Sequence, residues 1–129
     1  MSELRKVLYA EDDEDLRLIL RFSLEKVGKF EVCGCANGLL ALESAPAFEP
    51  DLILLDVAMP KMDGLQTFLN LKKMPGLSKV PVVFLTAKAM SHEIDGLTEL
   101  GATGIIIKPF DPVKLPKQLR LFWEYGHGN

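Results

Sequence analysis

Residues 51–64 read DLILLDVAMPKMDG. Within this stretch Leu52-Ile53-Leu54-Leu55 run together without polar alternation and stop at Asp56. A strand that is apolar on both sides is buried on both faces, which is the habit of a parallel sheet covered by helices. After Asp56 the chain carries turn chemistry at Pro60 and at Asp63-Gly64. A buried strand therefore ends on a carboxylate and opens into a loop.

Similar apolar runs occupy residues 7–10, 30–35, 80–86 and 104–107. Between them lie stretches of helical periodicity. Residues 13–28 place Leu16, Ile19, Leu20, Leu24 and Val27 on one stripe, with Gly28 as the stop. Further helices are predicted over 39–48, 65–74, 92–100 and 113–125. Asp111-Pro112 reads as an N-cap followed by proline at the first helical position, and Pro116 either delays that start or kinks the first turns. Gly96 interrupts the fourth helical pattern and weakens it. Strand and helix thus alternate five times along one domain, 1–129, which predicts an α/β fold with a doubly wound parallel sheet.

Ligands of such sheets collect beyond the carboxyl ends of the strands. There the sequence sets Glu11-Asp12-Asp13 after the first run, Asp56 after the third, Thr86 at the end of the fourth and Lys108-Pro109 after the fifth. Any one of these has an ordinary structural use, such as a helix cap, a turn or a solvated charge. Their joint placement on one rim gives them weight. Two carboxylates about 4 Å apart repel by about 4 kcal/mol at an effective dielectric near 20. A cluster of them calls for a cation, and the donors are all hard oxygens, which selects Mg²⁺ or a similar ion over zinc. Mg²⁺ shares its shell readily with phosphoryl oxygens, so the rim suits phosphoryl chemistry.

Composition narrows the alternatives. Of the 129 residues 48% are hydrophobic and 26% charged, with a formal net charge of −3, as in a globular domain. No basic block offers a footprint for nucleic acid or an anionic membrane surface. The chain enters its first apolar run directly after MSELRK, and no stretch is long enough for a signal peptide or a membrane span. Cys33 and Cys35 are too close in sequence for an unstrained disulfide and read as small strand residues of a reducing compartment, so a cytoplasmic location is expected.

The segments VLYAEDDEDLR, DLILLDVAMPKMDG, VPVVFLTA and GATGIIIKPFD together resemble the response-regulator receiver family over nearly the whole chain. The resemblance implies the flavodoxin-like strand order 2-1-3-4-5. It implies that Asp56 is the phosphoacceptor, that Glu11, Asp12, Asp56 and the backbone carbonyl of Ala58 hold Mg²⁺, and that Thr86 and Lys108 meet the phosphoryl group. Lys108-Pro109 is expected to be a cis peptide. A sensor histidine kinase or histidine phosphotransfer protein is the expected donor, and a downstream protein the expected target. The domain is thus a phosphoacceptor switch rather than an enzyme in the ordinary sense. The chain ends soon after its last helix, so a stand-alone receiver is expected.

One departure from the family pattern is Ile105, where an aromatic ring is usual. It leaves the chemistry intact and alters how the switch is read out. Two further expectations concern surfaces. Leu18 and Phe22 point away from the buried stripe and offer a patch for a donor helix. Ala58 and Lys88 are placed by the resemblance beside the path of hydrolytic water, and neither promotes hydrolysis, so a long-lived phosphorylated state is expected. Competing readings fit less well. A phospho-aspartyl phosphatase needs a second Asp where Ala58 stands, and a flavin-binding relative needs a phosphate loop where Glu11-Asp12-Asp13 would repel one. A pseudo-receiver would not need the full set Asp12, Asp56, Thr86 and Lys108.

Overall fold

The structure, a computed structural model, describes residues 3–87 and 91–127. Five parallel strands form one sheet in the order β2-β1-β3-β4-β5, with β1 Lys6–Ala10, β2 Glu31–Cys35, β3 Leu52–Asp56, β4 Val82–Thr86 and β5 Gly104–Ile107. The helices are α1 Glu14–Arg21, α2 Gly38–Phe48, α3 Gly64–Lys72, α4 Ser91–Glu99 and α5 Leu115–His127. The expected fold class and strand order are both observed. No helix of the described residues is long and apolar enough to cross a membrane.

The unbroken apolar runs are explained by the layers. Val7 and Tyr9 face one side of the sheet with Leu52, Leu54, Val83 and Leu85, packing on Leu20, Leu24, Leu115 and Trp123. Leu8, Ile53, Leu55, Val82 and Phe84 face the other side, packing on Ala41, Ala45, Phe68 and Leu71. Every residue of β3 and β4 is buried. Strands covered on both faces have no use for polar alternation.

The first helix departs from the expected regular span. Regular α-helix stops at Arg21, and a π-helical segment, Phe22–Val27, continues it. Gly28 N–H donates to Ser23 O at 2.9 Å, a five-residue step. The buried face runs through Leu20, Ser23 and Leu24, while Ile19 is exposed. Ile19 is thus wrongly placed on the core stripe. Ser23 earns its burial by donating to Pro112 O. Gly28 does end the segment, but in ordinary right-handed geometry, and Lys29 takes the left-handed φ of 63°. A Cβ at Gly28 would stand 2.9 Å from Leu24 O and from the Phe30 ring, so the constraint there is space.

The last helix resolves the question of Pro116. Asp111 Oδ1 accepts from Val113 N–H at 2.9 Å, and Asp111 O accepts from Lys114 and Leu115 N–H. Asp111 caps a turn, the helix begins at Leu115, and Pro116 falls in its first turn, where a missing N–H costs little. The Lys108-Pro109 peptide is cis, as expected. Both cysteines are free thiols, Cys33 half-buried and Cys35 buried. Gly96 lies inside α4, and a Cβ there would meet nothing within 4 Å, so the glycine answers no packing demand.

Candidate functional site

The carboxyl ends of β1, β3, β4 and β5 converge on one rim. The strand pairing runs past the formal strand ends and fixes the residues that follow. Glu11 N–H donates to Cys35 O at 3.0 Å, Val57 N–H to Leu85 O at 2.9 Å and Lys108 N–H to Thr86 O at 2.8 Å. Each site residue thus inherits the rigidity of a buried sheet. Glu11, Asp56 and Thr86 are themselves buried, at 1%, 3% and 6% exposure. Charged side chains are almost never fully buried unless paired, so this burial marks a built site.

Glu11 and Asp56 share one ammonium. Lys108 Nζ lies 3.0 Å from Asp56 Oδ2 and 3.2 Å from Glu11 Oε1. Asp56 Oδ1 accepts from Ala58 N–H at 3.2 Å, and Glu11 Oε2 from Asp13 N–H at 3.0 Å. Glu11 Oε1 faces the ammonium but accepts no hydrogen bond among the described residues. Carboxylate oxygens of Glu11, Asp12 and Asp56 come within 4.8 Å of one another. Asp12, unlike the other two, is exposed. Asp13 does not join them; its side chain caps α1 by accepting from Leu16 N–H at 3.1 Å.

The crowding shows in the proton affinities. Burial, the largest cause, pushes the Glu11 carboxyl up from 4.5 to about 7; the Asp13 N–H opposes the rise and the Asp56 carboxylate adds to it. At Lys108 burial acts to lower the pKa, but the Asp56 and Glu11 carboxylates outweigh it and the net shift is upward. The ammonium is therefore held charged, and it offsets only part of the charge that three carboxylates would carry.

Beyond Asp56 lies a cavity of about 510 Å³. Asp56, Ala58, Thr86 and Lys108 share its lining with Ile94, Leu97 and Leu100. Thr86 thus lines one cavity with the Asp56 carboxylate and Lys108, as its position at the end of β4 predicted. Ile105 is half-buried and packs with the α2–α3 side of the core. Lys88 lies outside the described residues.

Loop turns complete the site. After Asp56 the chain returns so closely that Gly64 N–H donates to Val57 O at 2.9 Å. A Cβ at Gly64 would collide with Asp56 O and lie 2.9 Å from Val57 Cα, so only glycine fits. Asp63 then caps α3 in a reciprocal box with Gln66.

Residues 7–120 match the response regulator receiver domain. The chain belongs to the response regulator receiver family. Its relatives include the transcriptional regulatory protein CseB of Streptomyces coelicolor, 36% identical over 128 residues, 98% of this chain and 53% of that protein. The alkaline phosphatase synthesis transcriptional regulatory protein PhoP of Bacillus subtilis is 36% identical over 110 residues, 84% of this chain and 44% of that one. The chain spans about half the length of these curated relatives. Among solved structures, the chemotaxis protein CheY4 of Vibrio cholerae superposes with a TM-score of 0.86 at 30% identity, covering 92% of this chain and 98% of that one. As a receiver domain the chain carries the acidic rim, the hydroxyl and the lysine on one edge of the sheet. Arg17, which donates to the carbonyls of Glu11 and Asp12, was not singled out by sequence reasoning. No motif marks it, because its partners are backbone oxygens.

Proposed function

We propose that this receiver domain accepts a phosphoryl group on Asp56 from a phosphohistidine donor, a sensor histidine kinase or a histidine phosphotransfer protein, in a Mg²⁺-dependent reaction. The modified domain then changes conformation and controls a protein partner. The observation that carries the reading is the bridging ammonium of Lys108, 3.0 Å from Asp56 and 3.2 Å from Glu11, on a rim with a third carboxylate at Asp12.

The donor set fits a hard divalent cation. It is all oxygen, it is short of positive charge, and Glu11 Oε1 is buried without accepting a hydrogen bond among the described residues. Glu11, Asp12, Asp56 and the Ala58 carbonyl would hold Mg²⁺, which when bound supplies charge to offset the phosphoryl oxygens. The chain's own residues do the rest. An Asp56 oxygen forms the bond to phosphorus while the phosphorus–nitrogen bond of the donor breaks. The electron pair leaves with the imidazole nitrogen, which is protonated from solvent. Lys108 keeps its ammonium against the new anionic group, and the Thr86 hydroxyl donates to a phosphoryl oxygen. That capture draws β4 and the α4 region toward Asp56, into the cavity they share.

The domain serves as a phosphoacceptor switch and not as a turnover enzyme, in the cytoplasm. With a formal net charge of −3 it is assigned no nucleic-acid contact of its own. The test is incubation with a small phosphodonor, with and without Mg²⁺, read by intact mass. One phosphoryl addition that requires the cation supports the reading. No addition under either condition contradicts it.

A further inference from the structure

Helix α1 carries a side chain, reaching back to the β1–α1 loop, that the roles above do not use. Arg17 Nη1 donates to Glu11 O at 2.9 Å and to Asp12 O at 3.1 Å. Among the described residues no backbone N–H donates to either oxygen. The same two residues carry the acidic pair. Glu11 has further anchors, through its own N–H to Cys35 O and its Oε2 to Asp13 N–H. Asp12 has none of this kind: it is exposed, and no hydrogen bond to its carboxylate is formed among the described residues. Its carbonyl is tied to the fold through Arg17, and Arg17 is itself fixed by its N–H to Asp13 O at 2.9 Å.

We propose that Arg17 is the positioning residue of the acidic pair, a clamp that holds the main chain of Glu11 and Asp12 so that the Asp12 carboxylate meets those of Glu11 and Asp56. The inference rests on the reading of this rim as a Mg²⁺ site. Preorganised ligands bind a cation more tightly than ligands that must be ordered on binding. A charge effect has the opposite sign. A guanidinium near a cation site repels the cation, so removing it for its charge alone would tighten binding.

That difference in sign makes the clamp testable by calorimetric titration of the full chain with Mg²⁺. Arg17→Met is expected to weaken the Kd by about tenfold, in the range seen when partners that orient metal ligands are lost. The phosphorylation rate at saturating Mg²⁺ should stay near wild type, so the loss appears in the Mg²⁺ dependence and not in the limiting rate. In an Asp12→Asn background Arg17→Met should cost little more, because the clamp acts through Asp12. A thermal melt in chelator checks that the variant is folded. Should Arg17→Met unfold, Arg17→Lys takes its place: it keeps the charge but not the reach to both carbonyls, and a loss of about threefold is expected. Unchanged or tighter binding in a folded variant, or an equal cost in the Asp12→Asn background, overturns the clamp alone. Absence of Mg²⁺ binding by the wild-type chain overturns the metal reading and the clamp with it.

Discussion

The ammonium of Lys108 reaches across the end of β4 to lie 3.0 Å from the carboxylate of Asp56, 52 residues earlier in the chain. The contact joins β5 to β3, strands that are not neighbours in the sheet. It also brings the ammonium to Glu11 at the end of β1, 3.2 Å away. One cation therefore bridges two buried carboxylates.

Removing it should leave those carboxylates unbalanced. Lys108→Met is expected to destabilise the protein in chelator by about 2 kcal/mol at pH 8, below the usual cost of breaking a fully buried pair because the lysine is partly exposed. Added Mg²⁺ should recover part of the loss. Denaturant melts with and without Mg²⁺ check this. Equal stability of wild type and variant in chelator would mean that the ammonium does not balance the site.

Glu11 gives the metal-free protein a pH dependence of definite sign. Its carboxyl titrates near 4.5 when unfolded and at about 7 in the fold, chiefly through burial. Between those values the folded state holds the extra proton, so stability falls as pH rises through the window. Melts in chelator from pH 4.5 to 7 should show a slope that Glu11→Gln flattens. Over the same range Mg²⁺ affinity should rise, because the cation binds the ionised carboxylate.

Gly64 lies close against the backbone of Asp56, the proposed acceptor. Gly64→Ala would press a Cβ into Asp56 O, an atom that cannot swing aside. A loss of about 2 kcal/mol or more is expected, with slower phosphorylation because Asp56 is displaced. Chemical denaturation and donor kinetics on one preparation would check both. A variant of wild-type stability would show that the return of the loop is less tight than described.

Donor docking is expected at Leu18 and Phe22, which are 60% and 55% exposed and lie one turn apart at the junction of α1 with the π segment. Phe22→Ala should slow transfer from a cognate phosphohistidine protein and leave the rate with a small phosphodonor unchanged. Equal slowing with both donors, or none with either, counts against docking at this face.

Much of this fold was legible because parallel strands buried on both faces leave unbroken apolar runs. Leu52-Ile53-Leu54-Leu55 and Val82-Val83-Phe84-Leu85 could sit nowhere else, and the polar residues that end such runs were bound to share a rim. Glu11, Asp56, Thr86 and Lys108 were found on that logic and stand together in the structure. Three features escaped it. The π segment at Phe22–Val27 carries the tie from Ser23 to Pro112, and no local periodicity encodes either. Ile19 followed the helical stripe, yet it stands exposed at the edge of the buried face. Arg17 looked like any surface arginine, since its partners are carbonyls common to every residue.

The account turns on Asp56 as the acceptor, and the most direct measurement is where the phosphoryl group lands. The wild-type chain and Asp56→Asn would be treated with a small phosphodonor and Mg²⁺, reduced with borohydride to trap any acyl phosphate, digested and mapped by mass. The account predicts a reduced aspartyl residue at position 56 in the wild type and no phosphoryl addition in the folded Asp56→Asn chain. Addition to Asp56→Asn at the wild-type rate, or trapping at another carboxylate in the wild type, would contradict it.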